Sequence, residues 1–325
     1  MKPLDWLSDY RKEWLRPDIV AGLIAAAVVI PKAMAYATVA GLPVQAGLYT
    51  AFVPTVIYGV LGSSRVLSVS TTTTIAILTG ANLALVVPDG DPAMLLRASA
   101  TLALMVGVLL ALASVLRLGF LASFISEPVL AGFKAGIGVV IVLDQVPKLL
   151  GLHFPKGTFL QNLQALVRSL PETSAATLAV GLVTIALLLG FKRFVPRVPA
   201  PLVTVGAGIA AMALLGLQAY GVETVGAIPR GLPTLTLPDI AFTTQLWPGA
   251  LGIALMSFAE TVAVARAFAR NGEPAFRPNQ ELMATGMATA GGALLGGMSG
   301  GGGASQTAVE RLARAWSQLA KLATG

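Results

Sequence analysis

The 325-residue sequence predicts an all-α integral membrane protein. Three observations lead there. Apolar residues make up 55% of the chain and charged residues only 11%, against roughly 25% charge in soluble domains. Apolar runs of spanning or near-spanning length recur along the whole chain. Two polar stretches, one rich in threonine and one in glycine, lead straight into two of those runs.

Ten segments follow in order, at about 18–40, 44–61, 71–87, 93–116, 120–143, 173–191, 200–219, 247–270, 281–297 and 304–320. The N-terminal MKPLDWLSDYRKEWLRPD is polar, charged and continuous with the first run, so residues 1–17 read as a cytoplasmic N-terminus and the first helix is expected to stay in the mature protein. With that end inside, Arg65, Arg117, Lys192, Arg193, Arg197, Arg270, Arg277, Arg311 and Arg314 fall at or near inside ends and the acidic PDGD at 88–91 falls outside. The net charge of +7 is therefore spent on topology, because the basic residues sit at the ends of apolar runs and form no nucleic-acid face. Two loops are longer, 144–172 with the lone His153, read as a surface residue, and 220–246 with Pro229, Pro233 and Pro238, where extended strand is expected. No cysteine is present, which excludes disulfides and thiol chemistry, and no cofactor or metal is implied.

Two charges lie inside apolar runs. Lys32 stands beside Pro31, well within the run that starts at Ile19, so charge and backbone are disturbed at the same depth. The plainer reading, a lysine that snorkels to an interface, is weakened by its distance from either helix end. Glu260 lies about halfway along LGIALMSFAETVAVARAFAR. A carboxylate there can exchange a proton or bind Na+, or can form a fixed ion pair with Lys32 or Lys134.

The polar stretches are Ser68-Val69-Ser70-Thr71-Thr72-Thr73-Thr74 before the third segment and Gly296 through Thr307 before the tenth. Glycine costs about 1 kcal/mol in a helix interior and hydroxyl side chains favour N-caps, so each stretch is expected to be extended and to open a short helix. Half-helices running in opposite directions can face their N-termini toward one anion near the midplane, with free N–H groups and positive dipole ends and without a metal.

These residues also resemble the sulfate permease (SulP) family of anion transporters. Its first-helix motif is matched by Pro31, Met34, Ala35, Tyr36, Ala37, then Gly41, Leu42, Pro43 and Gly47, Leu48, Tyr49. Phe124 to Phe133 resembles the entry to its fifth helix, Val225 to Pro233 its long outer loop, and Pro278-Asn279-Gln280-Glu281-Leu282 the start of its ninth. The resemblance implies a seven-plus-seven inverted-repeat transporter fold, with half-helices at segments 3 and 10. It assigns core-domain helices 1–4 to 18–119, gate-domain helices 5–7 to 120–219, an extracellular loop to 220–246, and core-domain helices 8–10 to 247–325. A complete member of that family has four more helices and then usually a soluble STAS domain, so the resemblance makes these 325 residues the N-terminal part of its membrane domain, truncated at about ten segments with the second repeat incomplete. In the tenth-helix motif Ser299 stands for proline, Gln306 for an arginine and Glu310 for asparagine, while Lys32 replaces the usual first-helix glutamine. The cation has thus moved from the tenth helix to the first. Glu260 matches an acidic position of many bacterial members.

The expected anion site comprises Lys32, Ser70, Thr71, Thr72, Gly302, Gly303, Ala304, Ser305 and Gln306, with Glu260 as the coupling residue. The function read from it is secondary active transport of a small inorganic anion, sulfate first, with H+ or Na+ as coupling ion, in the plasma membrane. Bicarbonate or a small dicarboxylate, an uncoupled anion channel, and a non-transporting fragment that assembles with other chains are the alternatives. Membrane lipid and a second copy of the chain are the remaining expected partners. A membrane enzyme is disfavoured, because no His cluster, Cys pair or nucleophile–base pair accompanies the buried charges.

Overall fold

The computed structural model describes residues 4–65, 67–123, 127–154, 159–195, 200–224, 231, 233, 235–269, 273, 276–313 and 315–325. Phe124 to Ser126, Val225 to Arg230, Leu232, Arg197, Arg270 and Arg314, which carried expectations above, lie outside the described residues, as does the side chain of Lys134. In chain order the elements are α1 (Leu15–Val39), α2 (Val44–Leu61), β1 (Val69–Ser70), α3 (Thr73–Val86), α4 (Pro92–Val115), α5 (Glu127–Leu150), α6 (Phe159–Ser169), α7 (Ala175–Phe194), α8 (Ala200–Leu215), α9 (Thr243–Ala267), α10 (Pro278–Leu294), β2 (Gly301–Gly302), α11 (Ala304–Leu312) and α12 (Leu319–Thr324). Among the described residues α1, α2, α4, α7 and α9 combine the length and apolarity needed to cross a membrane.

Each expected segment meets a helix, with three corrections. The fifth was expected at 120–143, but Leu118–Ser123 forms a 3-10 turn and α5 runs from Glu127 to Leu150. The tenth was expected unbroken over 304–320; α11 ends at Leu312 and α12 starts at Leu319, because Asp18 captures the backbone amides of Trp316 (2.6 Å) and Ser317 (3.3 Å) between them. The 144–172 loop contains α6, whose Phe159, Leu163, Leu166 and Val167 recur at helical spacing. In the 220–246 loop no strand occurs among the described residues.

The chain divides into two compact units, residues 1–130 with 229–325, and residues 131–228. In the second, α7 packs on α8 and turns Leu182, Val183 and Leu189 outward. His153 there is surface-exposed, 3.2 Å from Glu223. In the first unit α10 packs between α4 and α2, α1 packs on α2, α11 and α12, and α9 lies against α3, α4 and β2. Lipid offers no hydrophobic drive for helix association, so close contact between small residues must supply it. A Cβ on Gly107 of α4 would lie 2.7 Å from the Gly286 carbonyl oxygen of α10, and one on Gly286 would lie 2.7 Å from that of Gly107, so neither position has room for a side chain. Gly47 fits the same way, since a Cβ there would lie 1.9 Å from the Ala33 carbonyl oxygen where α2 crosses α1.

The start of α10 ties three segments together. Asn279 Oδ1 accepts from Gly119 N (2.7 Å), Gln280 Nε2 donates to Leu61 O (3.1 Å), and the buried Glu281 carboxylate accepts from Ser63 N (2.8 Å), Ser63 Oγ (2.5 Å), Ser64 N (3.0 Å) and Tyr58 OH (2.5 Å). A second tie joins the two ends of the chain: Asp18 also accepts from Ser317 Oγ (2.5 Å), and the fully buried Glu310 and Lys321 form an ion pair. Removing one partner of such a network leaves the others desolvated and unbonded. Glu281→Ala is therefore expected to lower the melting temperature of the detergent-solubilised protein, with a cost of about 1–3 kcal/mol for each buried donor left unbonded. Glu281→Gln, which keeps one acceptor, should cost less.

Candidate anion site

The site is built where two extended stretches cross. β1 and β2 pair antiparallel, Val69 opposite Gly302 and Ser70 opposite Gly301, and Gly303 N adds a bond to Ser68 O (2.9 Å). Each strand then opens a helix, α3 after β1 and α11 after β2, as the threonine and glycine stretches predicted. Because the strands are antiparallel, the two helices leave the crossing in opposite directions with their N-termini at its two ends.

Hydroxyls from the flanking helices take the backbone groups this short ladder leaves over. Thr55 Oγ1 donates to Val69 O (2.9 Å), Ser257 Oγ donates to Gly300 O (2.7 Å), Thr261 Oγ1 accepts from Gly302 N (3.1 Å) and Thr50 Oγ1 accepts from Met298 N (2.7 Å). Irregular backbone at membrane depth needs such partners. These four residues were missed in the sequence. Their signal is a hydroxyl inside an otherwise apolar span.

The two helix ends differ. At α3, Thr72 Oγ1 caps Ile75 N (3.3 Å) and donates to Glu260 Oε2 (2.7 Å). At α11 the capping position is Gly303, and no side chain caps the end. The Lys32 ammonium reaches it from α1, donating to Ser305 Oγ and lying 5.5 Å from the Tyr36 ring centroid. A cation thus stands beside the positive end of a helix, where the two fields add. Neither field is cancelled by the cap.

The predicted residues accordingly separate. Lys32, Ala304 and Ser305 come together on the accessible side, and Thr72 meets Glu260. Gly302 and Gly303 are buried in the crossing, as are Ser70, whose hydroxyl donates to Thr50 O (3.3 Å), and Thr71, whose hydroxyl is enclosed without a hydrogen-bond partner. Gln306, 2% exposed, turns its amide oxygen to Ser68 Oγ (3.3 Å). Among the described residues no three His, Cys, Asp or Glu side chains converge to hold a metal ion.

Comparison with known proteins places this geometry. The chain is 38% identical over 316 residues to a probable sulfate transporter of Mycobacterium tuberculosis, covering 97% of this chain and 56% of the relative. It is 32% identical over 298 residues to sulfate transporter 3.1 of Arabidopsis thaliana, covering 87% of this chain and 45% of that one. The chain thus spans about half the length of these relatives. Its fold matches the murine solute carrier 26 family member A9 anion transporter in the inward-facing state with a TM-score of 0.93 at 25% identity, over 99% of this chain and 57% of that one. The transmembrane domain of the cyanobacterial bicarbonate transporter BicA matches in fold at a TM-score of 0.85 and 24% identity, over 97% and 81%. The family's own sequence profile matches residues 15–325, and with the half-helix crossing and the mycobacterial relative it shows that this chain belongs to the sulfate permease family of membrane transporters.

Proposed function

We propose that this chain carries the anion site of a secondary active transporter for small inorganic anions, sulfate first, driven by H+ through alternating access in the plasma membrane with the N-terminus cytoplasmic. The observation that carries the reading is the Lys32 ammonium at the uncapped N-terminus of α11. Two like fields at one half-exposed point are mutually unfavourable until an anion enters between them, and a tetrahedral oxyanion can take the ammonium on one side and backbone N–H groups on the other. Sulfate leads because the mycobacterial and plant relatives are named for it. Bicarbonate and small dicarboxylates compete, since dipole ends plus one cation recognise charge and size.

Within this reading, unit 1 moves the anion as the transport core and unit 2 is the gate. Thr72 in contact with Glu260 favours a coupled carrier over a channel, because it joins the one buried carboxylate of α9 to the capped half-helix end. Gln306, Ser70 and Thr71 support the crossing from within, and Ser305 and the amides of α11 are the groups offered to the anion.

Lys32→Gln is expected to weaken sulfate binding at least about tenfold, the worth of one hydrogen bond to a charged group, measured by titration calorimetry in nanodiscs. Lys32→Arg should retain most of the affinity. An unchanged affinity in Lys32→Gln removes the lysine from the site. For coupling, concentrative sulfate uptake into proteoliposomes under an inward proton gradient is the direct measurement. Glu260→Gln should keep sulfate exchange and lose accumulation, whereas a channel would only equilibrate sulfate in the wild type.

A further inference from the structure

We propose that Thr72 is the positioning residue that couples protons to the anion, by turning its single hydroxyl proton between Glu260 and the bound anion. This rests on the reading that Glu260 is the proton-binding group, and it names the path by which that group reaches the anion.

A threonine hydroxyl has one proton to give and two lone pairs to fill. In the structure Thr72 Oγ1 accepts from Ile75 N at 3.3 Å and gives its proton to Glu260 Oε2 at 2.7 Å. One lone pair remains, and the only proton is committed to the carboxylate. When a proton from solution binds that carboxylate oxygen, Glu260 becomes the donor across the same 2.7 Å contact. Thr72 then accepts twice, from Ile75 and from Glu260, and its own proton is released. No covalent bond is made or broken beyond protonation of the carboxylate.

The released donor stands at the N-terminus of α3, the half-helix end joined to that of α11 through the β1–β2 pairing. Thr72 is the N-cap of α3; it and Thr73 are half-buried where Ser70, Thr71 and Thr74 are closed in, and of the two it is Thr72 whose hydroxyl bonds Glu260. An ionised Glu260 withdraws this donor and faces the anion with a like charge through one hydroxyl. A neutral Glu260 returns the donor and removes the charge. Proton and anion thus raise each other's affinity, and reciprocity requires both effects to be equal in size.

Among the described residues, these titratable groups stand on the elements around the pair. Of the elements packed against α9, α3 and β2 carry no titratable side chain, α4 carries only Arg97, and α10 carries Glu281, which is held by Tyr58, Ser63 and Ser64. α9 itself adds Arg266 in its last turn, and Lys32 on α1 bonds Ser305.

The test is sulfate binding to the chain in nanodiscs between about pH 5 and pH 8, a range in which sulfate itself stays a dianion. Wild-type affinity should rise at least about tenfold toward the acid end, the worth of one hydrogen bond to a charged group. Thr72→Val should keep only the weaker pH dependence that the Glu260 charge alone imposes, and Thr72→Ser should restore the full dependence. Thr72→Asn keeps a capping oxygen for Ile75 and a donor for Glu260 but has no proton to swing between two partners, so it should fold and show the same weakened dependence. Glu260→Gln should be flat at the high affinity of the acid form. The full wild-type pH dependence kept in both Thr72→Val and Thr72→Asn, and lost in Glu260→Gln, overturns the relay alone. A wild type without pH dependence, or a dependence that survives Glu260→Gln, overturns the relay and the proton-coupling reading together.

Discussion

A chain that leaves the helical conformation inside hydrocarbon must find a partner for every amide it exposes, and the contact of Val69 and Ser70 with Gly302 and Gly301 does this for both half-helices at once. The rest of unit 1 is arranged around that short ladder. Four hydroxyls, on α2 and α9, take the backbone groups left over at its edges. The close approach of α10 to α4 and α2 sets the frame in which they meet, and it depends on positions such as Gly107 and Gly286 with no side chain at all. Pairing also makes the two half-helix ends one mechanical piece, since neither strand can shift without stranding the amides of the other.

The two half-helix ends are asymmetric. α3 is closed by its own Thr72, and that hydroxyl is shared with a carboxylate. α11 is left open at Gly303 and receives an ammonium. Backbone amides at a helix end are present whatever the side chains, whereas the cation that supplements them can stand on any wall that reaches them. Here α1 supplies it, and Gln306, on α11 itself, turns inward to Ser68.

The half-helices were legible because their cause is local: threonine and glycine runs are poor helix interiors wherever they fall. Lys32 and Glu260 were legible because charge in an apolar run is expensive. The pairing register was not, since nothing in SVSTTTT or GGMSGGGGAS names its partner across more than two hundred residues. Gln306 was expected to face the anion, but a flexible amide goes where its hydrogen bond is, and Ser68 lies behind it. Nothing in the sequence singled out Asp18; that it accepts from the amides of Trp316 and Ser317 depends on α12 packing against α1. The same long-range packing breaks the tenth segment, whose apolar pattern alone runs on to 320.

The aromatic residues of the N-terminal segment have a spectroscopic consequence. Trp6 and Tyr10 lie 5.9 Å apart, Tyr10 and Trp14 also 5.9 Å, and Trp14 stacks on Trp316 at 6.1 Å with an interplanar angle of 11°. Three of the four tryptophans therefore belong to one chain of rings beside the Asp18 tie, with the Arg65 guanidinium 5.5 Å from the Trp14 ring centroid. The fourth, Trp247, is exposed near the start of α9. Intrinsic fluorescence and near-ultraviolet circular dichroism will consequently be dominated by whether the N-terminal segment is docked on residues 316–317. None of the four tryptophans is among the residues proposed for the anion site, so its occupancy is expected to be optically quiet unless it loosens that docking.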